Sequence, residues 1–140
     1  MYKRQGLPYI LSFVIRDNGT LLDGTPLHQA IQRIDAAVHR SPLGYAVNCV
    51  HPTVLIKGLA RDEFAQGLLS NRLVGFSANT SAKRPEELDG LEDLDADEPE
   101  IIGLLMQKVH QKYGTKILGG CCGTSTEHIE FMAQKISASV

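Results

Sequence analysis

The sequence predicts an α/β fold of four consecutive βα units, forming one domain over residues 1–140. Three observations lead there. Short β-rich apolar runs alternate with longer stretches whose apolar residues recur at helical spacing. Capping and breaking residues fall at the joints. Strand followed by helix, four times over, implies parallel strands joined by right-handed crossovers. A four-stranded parallel sheet can stand as an open sandwich, and four units are equally half of an eight-unit barrel. The pattern leaves both open.

The strands are expected over Pro8–Ile15, Gly44–Val50, Leu73–Ser77 and Lys116–Gly120, each apolar on both faces as strands covered from both sides are. After the first, Thr25-Pro26 supplies an N-cap and a first-turn proline. The stripe Leu27, Ala30, Ile31, Ile34 and Val38 follows. After the second strand, Val54 to Leu69 reads as a helix interrupted by Gly58 and Gly67. After the third, Asp97-Glu98-Pro99-Glu100 sets carboxylates at a helix start. The stripe Ile102, Leu105, Met106, Val109 and Tyr113 follows, and Gly114 closes it. After the fourth, Thr124 and Glu127 have capping-box spacing ahead of Ile129, Met132, Ala133 and Ile136. Between Glu86 and Glu100 lie nine acidic residues and no Lys or Arg, read as a solvated loop.

Composition narrows the function. Apolar types make up 43% and charged types 21% of the chain, a globular balance. The formal charge of -2 offers no basic excess for nucleic acid or an anionic membrane surface. No run approaches the ~20 apolar residues of a membrane span. Lys3 and Arg4 precede an apolar stretch from Leu7 to Ile15, but Pro8 and Ser12 interrupt it and no small-residue cleavage site follows, so it reads as a strand and not a signal peptide. Three cysteines are too few for a disulfide scaffold, which points to a reducing compartment, the cytoplasm, with thiols used as thiols.

Those thiols are the chemistry the sequence offers. Cys49 ends the second strand, and Cys121 and Cys122 end the fourth, so all three reach the carboxyl end of a parallel sheet, where sites in such folds are built. Three thiolates suit Zn2+, whose catalytic sites take three protein ligands and leave a fourth position open. His51 is the nearest residue that would close the set, but Pro52 follows it and ends the strand, so it reads as a loop histidine. Glycines flank Cys121-Cys122 and let the chain bend so that neighbours share a metal, with the next helix aiming its N-terminus at the thiolates. Three unrelated buried cysteines are the bland alternative. A redox pair of Cys121 with Cys122 is disfavoured, since adjacent cysteines form a strained disulfide. No phosphate-binding glycine loop or nucleophile elbow is present. His28, His39 and His110 are read as helical surface residues.

Gly119-Gly120-Cys121-Cys122-Gly123-Thr124 followed by Glu127-His128-Ile129 resembles the double-cysteine signature of the homocysteine S-methyltransferase family. Val47-Asn48-Cys49 is similar to that family's upstream zinc-cysteine motif, with Ala46 where glycine is usual. Ala78-Asn79 resembles its Pro-Asn turn, and Pro8–Phe13 with Gly19, Leu22, Asp23-Gly24 and Leu27 its fifth strand and following helix entry. The resemblance implies units five to eight of a (βα)8 TIM barrel, without counterparts of the family's Asp-Gly motif after the first strand and Glu after the fourth. It implies Cys49, Cys121 and Cys122 as zinc ligands and Asn48 and Asn79 as substrate-binding residues. The implied activity is transfer of a methyl group to the zinc-bound thiolate of homocysteine, giving methionine. The implied partners are homocysteine, a methyl donor and a second half, either as a homodimer or as a separate amino-terminal half-barrel. The alternative is a non-catalytic zinc-binding half-barrel.

Overall fold

The computed structural model describes residues 6–61, 66–83, 87 and 96–138. Among these residues nine elements follow one another: β1 (Ile10–Phe13), α1 (Leu27–Ala37), β2 (Gly44–Val50), α2 (Pro52–Ala60), α3 (Gln66–Arg72), β3 (Leu73–Ala78), α4 (Pro99–Tyr113), β4 (Ile117–Gly120) and α5 (Thr126–Ser137). The four strands form one sheet in the order β1-β2-β3-β4, and every neighbouring pair is parallel. The order never reverses, so right-handed crossovers lay the described helices on the same face. Tyr45, Val47, Phe76 and Ala78 of the sheet bury with Ile31, Leu55, Met106, Val109 and Met132 of the helices in one apolar cluster. Doubly wound sheets reverse their order and cover both faces. The winding here is consistent with a partial βα barrel.

The opposite face carries no helix among the described residues. Strand pairing places Ile10, Ser12, Ala46, Asn48, Ser77 and Gly119 on it. Ile10 is 40% exposed and Ile117, on the last strand, 56%. The expectation of strands covered on both sides is therefore corrected: the apolar residues of β1 and β4 read as double-sided burial, but only one side is filled.

Helix boundaries shift for local reasons. Pro26 itself takes the cap position of α1, while Thr25 is held in the preceding turn, its carbonyl accepting from Leu21 at 2.8 Å. The stretch from Val54 to Leu69 is two helices. Gly58 sits inside the first because the turn at Arg16–Gly19 packs directly on it; a Cβ there would lie 3.1 Å from the Arg16 oxygen and the Gly19 nitrogen. Gly114 ends α4 in the left-handed conformation, as expected. The capping box of α5 is Ser125 with His128 and not Thr124 with Glu127, because the Thr124 hydroxyl is taken by the Ala78 carbonyl at 3.3 Å. This turns the buried stripe of α5 towards His128 and Met132 and leaves Ile129 44% exposed. His39 lies beyond the end of α1, and His110 is anchored to the Thr115 carbonyl at 2.8 Å. The acidic run between 86 and 100 lies mostly outside the described residues.

A polar knot ties the first two units together beneath the sheet. The Tyr45 hydroxyl donates to Asp35 at 2.8 Å, and Arg72 reaches both carboxylate oxygens, at 2.8 and 3.2 Å, with its guanidinium over the Tyr45 ring. Burial first, and the Asp35 carboxylate second, push the Tyr45 hydroxyl up to about 12. Asp35→Ala would leave two partly buried donors unanswered, so we expect a loss of about 1–3 kcal/mol in urea-unfolding stability. An unchanged unfolding midpoint would show the knot to be incidental.

Candidate metal centre

Three loops at the carboxyl ends of β2, β3 and β4 build the site. Cys49 is the last residue but one of β2, in a bulge between Asn48 and Val50, and it alone among the described non-glycine residues has a positive φ, 53°. Cys121 and Cys122 follow β4 directly. The Cys121 N–H donates to the Ala78 carbonyl at 2.7 Å, continuing the β3–β4 ladder past the strand. The Cys122 carbonyl accepts from both the N–H and the hydroxyl of Thr80, at 3.2 and 3.3 Å. Gly123 makes room for this: its φ is 78°, and a Cβ on it would collide with the Thr80 hydroxyl.

The three sulfurs lie within 4.8 Å of one another. Cys121 and Cys122 are 3.9 Å apart, while Cys49 and Cys121 are at disulfide distance with their Cα atoms 5.4 Å apart. Strand ends that bring sulfurs together for a metal also bring Cys49 and Cys121 close enough to bond. Tetrahedral zinc with Zn–S bonds near 2.3 Å needs sulfurs about 3.8 Å apart. The Cys121–Cys122 pair already has that spacing. Cys49 lies within 4.8 Å of both, so the three sulfurs, as thiolates, form a donor set that can hold a metal ion. Cys122 is exposed, which leaves one side of the cluster open to a further ligand.

His51 is not part of the donor set. Its ring is 3% exposed and both nitrogens are engaged. Nδ1 accepts from the Thr53 N–H at 3.3 Å, capping α2, and Nε2 faces the Asp97 carboxylate at 3.0 Å. Burial pushes this imidazole below the usual histidine range, with Asp97 pulling the other way. The reading of His51 as a loop histidine agrees with this. Of the two asparagines, Asn79 is nearly buried after β3, its N–H bonded to the Val50 carbonyl at 2.9 Å. Asn48 lies on the helix-free face and accepts from the Ser12 hydroxyl at 2.5 Å.

Beside the cluster opens a cleft of about 530 Å³, lined among others by Val14, Leu22, Cys49, His51 and Asn79. That is the size of a small-molecule site. At its edge Lys57 pairs with Asp17 at 2.8 Å. Cys49 and Asn79 thus share one cavity, whereas Asn48 is directed to the other face of the strand.

Sequence reasoning did not find Thr80, Asp97 or the role of His128. Asp97 was submerged in an acidic run, and Thr80 has no motif around it. Among the described residues no helix is long and apolar enough to cross a membrane. A comparison with curated proteins gave no match. The family model described as Homocysteine S-methyltransferase matches residues 1–136 of the 140. With its double cysteine after β4, its third cysteine at the end of β2 and a match along almost its whole length, the chain belongs to the homocysteine S-methyltransferase family.

Proposed function

We propose that this chain is the metal-binding half of a zinc-dependent homocysteine S-methyltransferase, with Cys49, Cys121 and Cys122 as the ligands and methionine as the product. The observation that carries the proposal is the meeting of three sulfurs within 4.8 Å at neighbouring strand ends in a chain of this family. Zinc, when bound, supplies a Lewis-acid position at which a substrate thiol ionises near neutral pH and stays electron-rich. The homocysteine sulfur's electron pair forms the new bond to the methyl carbon. The carbon's bond to a sulfonium or quaternary ammonium donor breaks, and that pair leaves with the now neutral sulfide or amine. The thiol proton passes to solvent.

The chain's own residues orient and shelter this exchange. Asn79 shares the cleft with Cys49, within reach of the polar end of an amino acid held there. Asn48 supplies an amide to the helix-free face, which we read as the interior of half a (βα)8 barrel. The thiols are suited to a reducing compartment, the cytoplasm.

The helix-free face favours the second reading, a zinc-binding half-barrel that does not turn over alone. Positioning supplies ~7–11 kcal/mol in well-oriented reactions, and an uncovered face orients a donor poorly. Methionine formation from homocysteine, with S-methylmethionine, betaine or methylated cobalamin as donor, tests this. We expect the reduced, zinc-loaded chain to work far below the ~1–10³ per second of ordinary enzymes. Turnover within that range with any donor would overturn the half-site reading and show that the chain assembles a complete site.

A further inference from the structure

Cys49 holds a backbone conformation that L-residues avoid, at a cost on the order of 1–3 kcal/mol. Such a residue keeps its place only when its surroundings fix it from both sides. On one side is the β2–β3 ladder, closed by the Asn79 N–H on the Val50 carbonyl at 2.9 Å. On the other is His51, and His51 is pinned by Asp97.

Asp97 stands just ahead of α4 and reaches three other segments. Because Nδ1 of His51 accepts from Thr53, the network assigns its hydrogen to Nε2, which donates to the Asp97 carboxylate at 3.0 Å. The Asp97 N–H donates to the Thr80 carbonyl at 2.8 Å. The Asp97 carbonyl faces Nε2 of His128 at 2.9 Å; that ring accepts from the Ser125 N–H at 3.1 Å through Nδ1, so Nε2 is the donor. Thr80 in turn holds the Cys122 carbonyl with two hydrogen bonds. One residue therefore ties the segment after Cys49 to the segment after Cys121 and Cys122.

We propose that Asp97 is a positioning residue for the metal centre: through His51 it fixes Cys49, and through Thr80 and His128 it fixes the Cys121-Cys122 turn, setting the spacing of the three sulfurs. The inference rests on the three-thiol reading and goes beyond it, since Asp97 is no ligand. Its carboxylate serves the His51 limb alone, while its backbone serves the other two. Asp97→Ala is therefore expected to loosen Cys49 and leave Cys121 and Cys122 in place.

The test uses the reduced chain and two readouts. Zinc affinity is measured by competition with a chromophoric chelator, and Co2+ is added to read thiolate-to-metal charge transfer. Asp97→Ala is expected to lower zinc affinity by ~10–100-fold and to weaken the charge-transfer band towards that of a two-thiolate site. Asp97→Asn, which keeps an oxygen for His51, is expected to restore most of both. Equal affinity and an unaltered cobalt spectrum in Asp97→Ala would overturn the proposal, as would a loss that Asn does not rescue. Should Asp97→Ala fail to fold, Thr80→Val reads the other limb: lowered zinc affinity supports the proposal and unchanged affinity overturns it. A wild-type chain that binds neither metal would remove the three-thiol site itself, a result distinct from wild-type binding that survives Asp97→Ala.

Discussion

The reduced chain is expected to retain about one zinc ion, and Cys49→Ala to lose it. Three thiolates and one exchangeable ligand make a four-coordinate site, and zinc binding by such ligands is worth ~10–16 kcal/mol in structural sites. Shared over four ligands this is about 3 kcal/mol each, or roughly two orders of magnitude in affinity for every ligand removed. The double replacement of Cys121 and Cys122 should abolish binding altogether. His51→Ala should retain more zinc than Cys49→Ala, because both ring nitrogens already have partners in the protein. Metal analysis after dialysis, with a reductant present throughout, distinguishes these variants. The reductant matters, since a bond between Cys49 and Cys121, which lie at disulfide distance, would remove two of the three ligands. Full zinc retention in Cys49→Ala would refute the assignment, and loss on His51→Ala alone would replace it with a closed structural site.

The sequence carried the site further than it carried its support. All four strands and the three striped helices were legible because β-rich runs and helical stripes differ in period, and Gly114 stopped α4 where a left-handed residue was needed. The cysteines were legible because their strands end within two residues of them, and parallel strands deliver their ends to one side. Other features depend on which groups meet in space. Thr124 satisfies every local rule for a cap, yet the Ala78 carbonyl, 46 residues away, claims its hydroxyl. Asp97 satisfies the local rule for a helix start, yet its partners are His51, Thr80 and His128. The distinction between sandwich and barrel also depends on spatial order: the same four βα units cover one face or two according to whether the strand sequence reverses.

The purified 140-residue chain is expected to be a dimer, and the helix-free face is the reason. All-parallel sheets occur almost only with both faces covered. Here the described residues leave one face bare, with Ile10 and Ile117 at its two borders 40% and 56% exposed. The outer strands β1 and β4 are each four residues long and bond to a neighbour on one side only. Unpaired backbone at such edges invites strand addition. A two-fold axis along the strand direction sets β4 of one copy beside β1 of the other at both seams. The result is eight parallel strands with no free edge, and the two bare faces become the packed interior that an eight-stranded barrel requires. The small residues Ser12, Ala46, Ser77 and Gly119 on that face leave space for the layers of the second copy. An interface of this kind should exceed the ~1,200–2,000 Å² of a standard stable complex, since whole strands and a sheet face are involved. Sedimentation equilibrium at micromolar concentration reads the assembly directly. Ile117→Lys, which puts a charge on both the seam and the bare face, should shift the chain towards monomer. A monodisperse wild-type monomer of 15.3 kDa with a cooperative thermal transition and no binding of an apolar dye would refute this account of the edges.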